Sequence, residues 1–384
     1  MGVLCIAHVL ALPLIALLRL RAKYKYSLTA RFFAKGHALD FKPILWFHAC
    51  SFGEIKSLEP LLALFNNTPI LLTTTTQTGY NLACSTYANN PHIQVRFLLF
   101  ETLLWLWRKD LDHLQSLVVT EAELWYQVFS LAKQVGAQTF LLNARISTRS
   151  YGRYQRFRAF YTQLFKQIDR IYAQTPQDLE RLRSLGARHL EIFPNLKLFN
   201  TPKITTHHPK PPKPLFLAAS THPGEEALIL KAFLALQTAA FLAIVPRHPE
   251  RFLKVKELLE SQHLDFMTFS QEGVTWSKQI LLVDALGVLN DFYAIADVVI
   301  LGGSFVPVGG HNPLEPAFFH TKLISGKHIF NQQALFACVQ NYVLIEQNAL
   351  KETLKCADQL VPSYIDQQGH SIQTLSKAIY ASSL

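Results

Sequence analysis

A serine, a glycine and an acid follow the apolar run ILWFHAC in the first half of this chain. They are Ser51, Gly53 and Glu54, and helix-forming residues come after them. A loop after a buried strand projects into a ligand-binding crevice, so the Glu54 carboxylate is placed to take a proton from a substrate hydroxyl. The alternative is an acid that only stabilises the start of a helix. The residues alone leave both interpretations open.

Phosphate-binding residue types recur after apolar runs in the second half. Ser220 and Thr221 end one such run, and the PGEE that follows opens a helix whose backbone N–H groups could hold a phosphate. Arg247, in VPRHPERF, has the planar fork that suits a phosphate or a carboxylate. Gly287 ends another run, where the backbone can approach a ligand closely.

The stretch GGHNPLEP, at 309–316, carries the signature of a helix start behind a glycine loop. Asn312 can cap, Pro313 fits the first helical position, and Glu315 occupies the place of a capping-box acid. A strand, a glycine loop and a helix N-terminus together form a phosphate-binding arrangement.

Further charged residues lie near the same predicted strand ends. Glu121 and Glu123, in TEAELW, point to one face if the strand continues through them, where they could orient sugar hydroxyls or be solvated charges. Arg145 could contact an anion, with an ordinary surface arginine as the alternative. Lys197 lies close to a proline-rich linker.

The five cysteines, which include no CxxC pair, favour a reducing compartment and argue against structural zinc or a disulfide framework. Cys50 and His48 share one face of a strand, yet an ordinary buried cysteine is far commoner than a nucleophile. The dinucleotide, P-loop, zinc-protease and α/β-hydrolase signatures are missing. We therefore expect no metal and no cofactor.

Buried strands alternate with amphipathic helices on both sides of the linker at 200–214. This pattern predicts two doubly wound, Rossmann-like α/β domains with parallel sheets. We expect an anchor helix at 1–20, an N-terminal domain at 21–199, and a C-terminal domain at 215–384. The last helix is expected to pack back on the N-terminal domain.

The apolar stretch from Val3 to Leu18 is followed by the basic residues Arg19, Arg21, Lys23 and Lys25. It is short for a membrane span, so we expect an uncleaved anchor that spans with help or lies in the interface, with an ordinary buried helix as the alternative. The basic flank would place the domains on the cytoplasmic side. The net charge of +10 suits an anionic partner. Nucleic acid is not expected, because the basic residues are dispersed and no recognition motif is present.

These motifs resemble the 3-deoxy-D-manno-octulosonic acid (Kdo) transferases of lipopolysaccharide synthesis. The resemblance follows nearly the whole chain in order, through HACSFGE, EAELW, NARIS, STHPGEE, PRHPERF and GGHNPLEP, and the last three of these are its most specific pieces. It implies a GT-B glycosyltransferase that moves Kdo from CMP-Kdo to the lipid A precursor with inversion, at the inner membrane. The two domains of this architecture face a cleft, and the resemblance implies that the N-terminal domain binds the acceptor and the C-terminal domain binds the CMP-sugar.

The resemblance also assigns residue roles. Glu54 matches the general base, and the positions that match the CMP-binding pocket are Ser220, Thr221, Pro246, Arg247, Leu286, Gly287, Val288, Asn312, Pro313, Leu314 and Glu315. The cleft or acceptor side is matched by Ser51, Gly53, Lys56, Glu123 and Lys197. Because CMP is a less charged leaving group than a nucleoside diphosphate, a metal is dispensable.

Three departures from the family pattern are visible. Leu286-Gly287-Val288 lacks the acid usual in that loop, HACSFGE carries an unusual cysteine and phenylalanine, and Pro194 stands where glycine is usual. They bear on acceptor fit and on the number of sugars added. Two alternatives stay open: a GT-B transferase with another nucleotide sugar, and a non-catalytic basic protein of the membrane surface.

Overall fold

The computed structural model describes residues 2–18, 25–366 and 369–380 of the chain. The chain divides into two compact units, Met1–Asn200 with Gln368–Leu384, and Thr201–Gln367. Each unit contains a seven-stranded sheet in which every pairing of neighbouring strands is parallel. The predicted two-domain α/β class is therefore confirmed.

The first unit, here the N-terminal unit, has the strand order β3-β2-β1-β4-β5-β6-β7. Its strands are β1 Leu45–His48, β2 Ile70–Thr74, β3 Ile93–Phe97, β4 Ser116–Thr120, β5 Gln138–Ala144, β6 Arg170–Ala173 and β7 Leu190–Ile192. Its helices are α1 Gly2–Leu18, α2 Lys25–Phe33, α3 Phe52–Leu62, α4 Gln77–Thr86, α5 Tyr126–Gln134, α6 Thr148–Arg156, α7 Arg158–Phe165 and α8 Pro176–Ser184. Short 3₁₀ segments cover Glu101–Trp107 and Leu196–Phe199.

The second unit, here the C-terminal unit, has the strand order β10-β11-β9-β8-β12-β13-β15. Its strands are β8 Leu215–Thr221, β9 Phe241–Pro246, β10 Phe266–Thr268, β11 Ile280–Leu282, β12 Val298–Leu301, β13 Lys322–Gly326 and β15 Tyr342–Ile345, and a separate antiparallel pair joins β14 Val339–Gln340 to β16 Tyr364–Ile365. Its helices are α9 Glu225–Leu234, α10 Phe252–Ser261, α11 Phe269–Glu272, α12 Leu289–Tyr293, α13 Leu314–Phe318, α14 Gln333–Phe336 and α15 Leu350–Lys355. Three short 3₁₀ segments, Pro249–Arg251, Gln347–Ala349 and Ala357–Gln359, complete this unit.

The strand order reverses direction at β1 in one sheet and at β8 in the other. β1 lies between β2 and β4, and β8 lies between β9 and β12. Alternate residues of β1 enter different apolar clusters: Leu45 and Phe47 pack on one face, and Trp46 packs on the other. Each sheet thus has a topological switch point at the carboxyl end of its first strand, which is where ligands bind in this architecture.

The last described helix, α16 Ile372–Ile379, belongs to the N-terminal unit. Ile372, Leu375 and Ile379 are buried in the same apolar cluster as Leu45 and Phe47. The Ser116 hydroxyl at the start of β4 donates a 2.6 Å hydrogen bond to the Ile379 carbonyl. The C-terminal segment thus completes one face of the first sheet.

Helix α1 forms where the anchor was predicted, but it is 17 residues long and contains Pro13. No helix within the described ranges is long and apolar enough to cross a bilayer. His8 on this helix is buried and hydrogen-bonds Thr102. The predicted basic flank of Arg19, Arg21 and Lys23 lies outside the described residues.

Replacing Leu375 with alanine should lower the free energy of unfolding by about 2–4 kcal/mol, because a leucine that is only 2% exposed leaves a cavity against β1 and α3. Urea unfolding of the full chain measures this. Thr374→Ala, on the exposed side of the same helix, is the matched control and should change stability by less than about 0.5 kcal/mol. Equal effects of the two variants would contradict the placement of α16.

Candidate active site

The Glu54 carboxylate lies in the first turn of α3, directly behind β1, and is 8% exposed. Its Oε2 accepts hydrogen bonds from the Cys50 N–H at 3.0 Å and from the Thr120 hydroxyl at 2.9 Å. Its Oε1 accepts one from the Ser51 hydroxyl at 2.8 Å. A carboxylate has about four lone-pair sites. Three donors therefore fix this side chain and leave acceptor capacity on Oε1.

Threonine hydroxyls hold the loop that carries Glu54. The hydroxyls of Thr74 and Thr76 each donate a 2.8 Å bond to the Cys50 carbonyl. A Cβ at Gly79 would stand 2.7 Å from the Thr74 hydroxyl oxygen, so the glycine is needed for this close packing. Burial raises the pKa of the Cys50 thiol to about 11. The thiol is therefore protonated at neutral pH, which argues against a cysteine nucleophile.

The buried His48 lies next to the half-buried Glu123 beside this loop. Thr73 donates its hydroxyl proton to the Phe47 carbonyl and accepts from the Trp46 indole N–H, so His48 Nδ1, at 3.0 Å, must donate to it as well. His48 Nε2 then lies 3.8 Å from the Glu123 carboxylate without another partner within the described ranges. The imidazole of His48 is therefore held by its Nδ1 atom, with Nε2 directed towards Glu123.

Glu123 is further fixed by the Trp125 indole N–H, which donates to it at 2.7 Å. Burial alone would raise the pKa of Glu123. The hydrogen bond and charge of His48, with the Trp125 contact, outweigh burial and hold the pKa below its usual value. Glu123 is thus an anion within the same group of side chains as Cys50.

The expectation that Glu121 and Glu123 share a strand face is wrong. β4 ends at Thr120, and Glu121 has a φ of +56°, which breaks the alternation. Glu121 pairs with Arg145 at 3.0 Å instead. Burial is the main effect on Glu121 and raises its pKa, and the negative charge of Glu54 acts in the same direction. The positive charges of Arg145 and Lys197 oppose this rise. Lys197 therefore lies within electrostatic reach of this acid.

Sequence reasoning missed Arg31, on α2. Its Nε donates to the Leu98 carbonyl at 3.1 Å, and its guanidinium lies 5.9 Å from the centroid of a Trp125 ring. Burial lowers the pKa of Arg31, and the nearby Cys50 and Glu123 oppose this decrease. Its remaining N–H groups have no partner among the described residues. No strand-end motif precedes Arg31, so only the fold could place it here. Gly53 and Lys56 lie on the outer side of α3, with Lys56 exposed.

In the C-terminal unit the corresponding buried acid is Glu225, at the start of α9 behind β8. This fully buried carboxylate accepts backbone N–H bonds from His222, Gly303, Ser304 and Phe305 at 2.7–3.0 Å. All four donors belong to loops that follow β8 and β12. Glu225 therefore ties together the two loops at the switch point of the second sheet.

Ser220 and Thr221 are both buried at the end of β8. Ser220 has a φ of +55°, and the Thr221 hydroxyl is bonded to Glu226 at 3.1 Å. Glu226 in turn pairs with Arg251 at 3.0 Å. The Thr221 hydroxyl is thus engaged inside the protein, and its carbonyl accepts from the Arg247 N–H.

A histidine pair spans the same loops. His222 Nε2 and His311 Nε2 are 2.9 Å apart, and the rings are nearly coplanar at 20° with centroids 5.1 Å apart, as a shared N–H···N bond requires. Burial, with the neighbouring charges of His222 and Arg247, lowers the pKa of His311 to about 4. At neutral pH this pair therefore shares one proton without a net charge on His311.

The other residues that were predicted to bind the nucleotide sugar lie around these loops. Pro246 is buried, whereas the Arg247 side chain is exposed and has no ion pair within the ranges described. Leu286 is 62% exposed. Gly287 has a φ of +81° with open space beside it, as a turn near a ligand requires. Val288 precedes the first residue of α12.

The helix behind GGHNPLEP begins one residue later than predicted. Pro313, rather than Asn312, is the capping residue, and α13 is a five-residue helix starting at Leu314. Asn312 nevertheless accepts the Leu314 N–H at 3.1 Å, and its amide lies 3.4 Å from Glu315. So short a helix contributes little dipole. The helix dipole therefore adds little to anion binding at this loop, and Asn312 and Glu315 are its polar side chains.

Over the part of the chain that the structure describes, no group of three or more His, Cys, Asp or Glu side chains is placed to hold a metal ion.

Comparisons with known proteins point to one family. A sequence profile described as 3-deoxy-D-manno-octulosonic-acid transferase (kdotransferase) matches residues 21–200. The chain is 33% identical over 381 residues to a 3-deoxy-D-manno-octulosonic acid transferase of Haemophilus influenzae, a match that covers 94% of this chain and 87% of that protein. It is 32% identical to a bifunctional glycosyltransferase/methyltransferase of Fusobacterium nucleatum, covering 75% of this chain and 48% of that protein. The chain thus spans about half the length of the second relative.

Among solved structures, Anabaena HepE in complex with UDP is similar to 88% of this chain and 95% of that one, with a TM-score of 0.52 and 11% identity. Similarity at this identity shows the fold alone and supports a GT-B-like pair of α/β domains.

Glu225→Gln should destabilise the C-terminal unit by about 3 kcal/mol, because the amide NH₂ would face backbone N–H groups that now bond a carboxylate oxygen. Denaturant unfolding of the full chain measures the loss. Glu257→Gln, on the exposed face of α10, is the control and should change little. Unchanged stability in Glu225→Gln would contradict the proposed tie between the loops.

Acid should destabilise the protein through His311. Its pKa is about 4 when folded against roughly 6.5 when unfolded, so the unfolded chain binds the proton first as the pH falls. The stability present above pH 6.5 is lost towards pH 4, on the order of 3 kcal/mol. His311→Asn, which keeps a hydrogen-bonding group, should flatten this part of the pH–stability curve. Identical curves for both proteins would contradict the assignment.

Proposed function

Because the chain belongs to the Kdo transferase family, we propose that it moves Kdo from CMP-Kdo to the lipid A precursor with inversion and releases CMP. The observation that carries this proposal is the Glu54 carboxylate. It lies at the switch point of the N-terminal sheet, is fixed by three donors, and keeps acceptor capacity on Oε1. These are the properties of a positioned general base.

The reaction that fits this base is a single displacement. The acceptor hydroxyl oxygen forms a bond to the anomeric carbon of Kdo as the bond from that carbon to the CMP phosphate oxygen breaks. CMP leaves with the electron pair, and the acceptor proton passes to Glu54 Oε1. Ser51 and Thr120 hold the carboxylate, which reduces the reorganisation needed in the transition state.

The donor is assigned to the C-terminal unit. The free Arg247 fork faces the single phosphate, and the neutral His311 with His222 can donate a hydrogen bond to it. Asn312 and Glu315 supply groups for the ribose hydroxyls, and the open turn at Gly287 allows a close backbone contact. A nucleoside monophosphate leaving group carries less charge than a diphosphate, so the proposed reaction needs no metal.

The acceptor is assigned to the N-terminal unit. Arg31 offers N–H groups that have no partner among the described residues, next to Glu123 and the loop of Glu54. A half-buried guanidinium binds an anion through charge-assisted hydrogen bonds, so a phosphate of the acceptor is a suitable partner. Lys197 and Lys56 add positive charge to the same unit.

The proposed location is the cytoplasmic face of the inner membrane, with α1 lying in the interface. Ile6, Val9, Leu10 and Leu17 are each more than 60% exposed and share one side of α1. The opposite side carries the buried His8. An exposed apolar stripe on a packed helix fits the headgroup region rather than a span.

Mass spectrometry tests the reaction directly. A tetra-acylated lipid A precursor is incubated with the protein, CMP-Kdo and a chelator, and we expect one or more added Kdo masses. CMP and UDP are compared as competitors, and CMP alone should inhibit. A folded protein that binds CMP but adds no mass would refute the proposed acceptor, and preferential inhibition by UDP would refute the donor.

Glu54→Gln should reduce transfer by roughly 10²–10⁴-fold while leaving CMP binding unchanged, because it removes the base and keeps the size of the side chain. Thr175→Ala is the structural control: it removes a side-chain helix cap from α8 of the same unit, at a cost of about 1 kcal/mol, and leaves Glu54 and its donors in place. If Thr175→Ala lost as much activity as Glu54→Gln, or if Glu54→Gln stayed active, the role of Glu54 as the base would be refuted.

A further inference from the structure

Helices α6 and α7 carry charge that the reaction proposed above does not use. The eighteen residues from Thr148 to Phe165 contain four arginines, Arg149, Arg153, Arg156 and Arg158, and no acid. None of the residues of α6 is buried. We call this segment the basic helix pair. A helix that packs so little apolar surface gains little stability from the core, so another role for its composition is needed.

The four arginines are exposed, and within the described ranges none of them forms an ion pair or a hydrogen bond. Arg149, Arg153 and Arg156 follow one another at intervals of four and three residues, which puts them on one face of α6. Arg145, just before the helix, differs from these four arginines because it is paired with Glu121. The result is a row of unpaired guanidinium groups aimed at solvent.

Aromatic side chains lie among these charges. Phe157 is 56% exposed and Phe160 is 50% exposed, and they are three residues apart across the junction of α6 and α7. A single exposed aromatic residue needs no explanation. Two exposed phenylalanines within four arginines and no acid match the composition of segments that lie in a membrane interface.

The basic helix pair borders the proposed acceptor side. Phe160 lies 6.2 Å from Tyr126, ring centroid to ring centroid, and Tyr126 begins the helix that follows Glu123 and Trp125. Tyr154 of α6 packs against Tyr161 at 4.6 Å and is within electrostatic reach of Glu123. Anything that docks on this segment is therefore brought next to the strand ends of the N-terminal unit.

We propose that the basic helix pair is a second membrane-docking surface, separate from α1, and that its partner is an anionic phospholipid bilayer. The unpaired arginines bind lipid phosphates, while Phe157 and Phe160 enter the headgroup region. Each cation near an anionic membrane surface adds to the attraction. A bilayer fits better than a folded acidic partner, since the aromatic side chains protrude from a helix surface without forming a groove.

The inference rests on the proposed function only for the reason why docking is useful, which is access to a lipid acceptor. The test therefore measures docking without catalysis. The full chain is sedimented with vesicles of phosphatidylcholine alone and of phosphatidylcholine with phosphatidylglycerol. We expect stronger binding to the anionic vesicles, weakening as salt rises.

The glutamine variant replaces Arg149, Arg153, Arg156 and Arg158 together. Its partition onto anionic vesicles should fall at least about tenfold. The matched control replaces four exposed lysines of the C-terminal unit, Lys203, Lys213, Lys254 and Lys351, with glutamine, so that the net charge falls equally. It should change partition less than about twofold. Phe157→Ser with Phe160→Ser should weaken binding to both kinds of vesicle. If the glutamine variant partitions like the unaltered protein, or if the control loses as much binding, the inference is overturned.

A four-lysine variant at the same arginine positions separates a bilayer from a specific ligand. It should keep most of the binding, because attraction to a charged surface needs charge rather than a bidentate fork. Loss of binding in the lysine variant would overturn the bilayer as partner. Transfer to detergent-dispersed acceptor should be unchanged in the glutamine variant, and a raised KM there with normal vesicle binding would assign the arginines to the acceptor instead. Vesicle binding that depends on these arginines in a protein without transferase activity would refute the proposed function alone.

Discussion

Both sheets depend on a buried carboxylate at their switch point. Glu54 follows β1 and Glu225 follows β8, and each strand is the place where the order of its sheet reverses. The loops beyond parallel strands carry many backbone N–H groups that no sheet or helix satisfies. A single acid in the first turn of the following helix collects these donors and so sets the shape of the site.

The two acids differ in how many donors they hold, and this difference separates structure from chemistry. Glu225 accepts four backbone N–H bonds and has no lone-pair site left for a ligand. Glu54 accepts three bonds, two of them from hydroxyl groups that can rotate. The same position in the architecture is therefore a fixed tie in one unit and a candidate base in the other. Replacement by glutamine removes the negative charge at either position. At Glu225 this lowers stability, whereas at Glu54 it tests the role of the carboxylate as the base.

The sequence predicted the class of fold and the family, because buried parallel strands leave nearly continuous apolar runs and the motifs at their ends are specific. It did not predict where each turn bends. The positive φ of Glu121 sends that side chain to Arg145 and breaks the expected pairing with Glu123. α13 starts at Leu314 because Pro313 itself caps the helix. Arg31 reaches the site only through tertiary packing on Trp125, which no local pattern encodes. The assigned roles of the site residues stay predictions.

The distribution of charge follows from the same physical constraints. In the C-terminal unit, burial keeps His311 uncharged at neutral pH. Among the described residues of the loops around it, Arg247 is exposed and has no ion pair. In the N-terminal unit, the half-buried Glu121 already pairs with Arg145, and Glu123 is bonded by the Trp125 indole beside His48. The unpaired arginines of the basic helix pair serve neither purpose, since all four are exposed and three of them lie on a helix without buried residues. Positive charge that neither the core nor the site neutralises must find its counter-ions outside the protein, and the exposed phenylalanines beside it favour a surface that is both anionic and apolar.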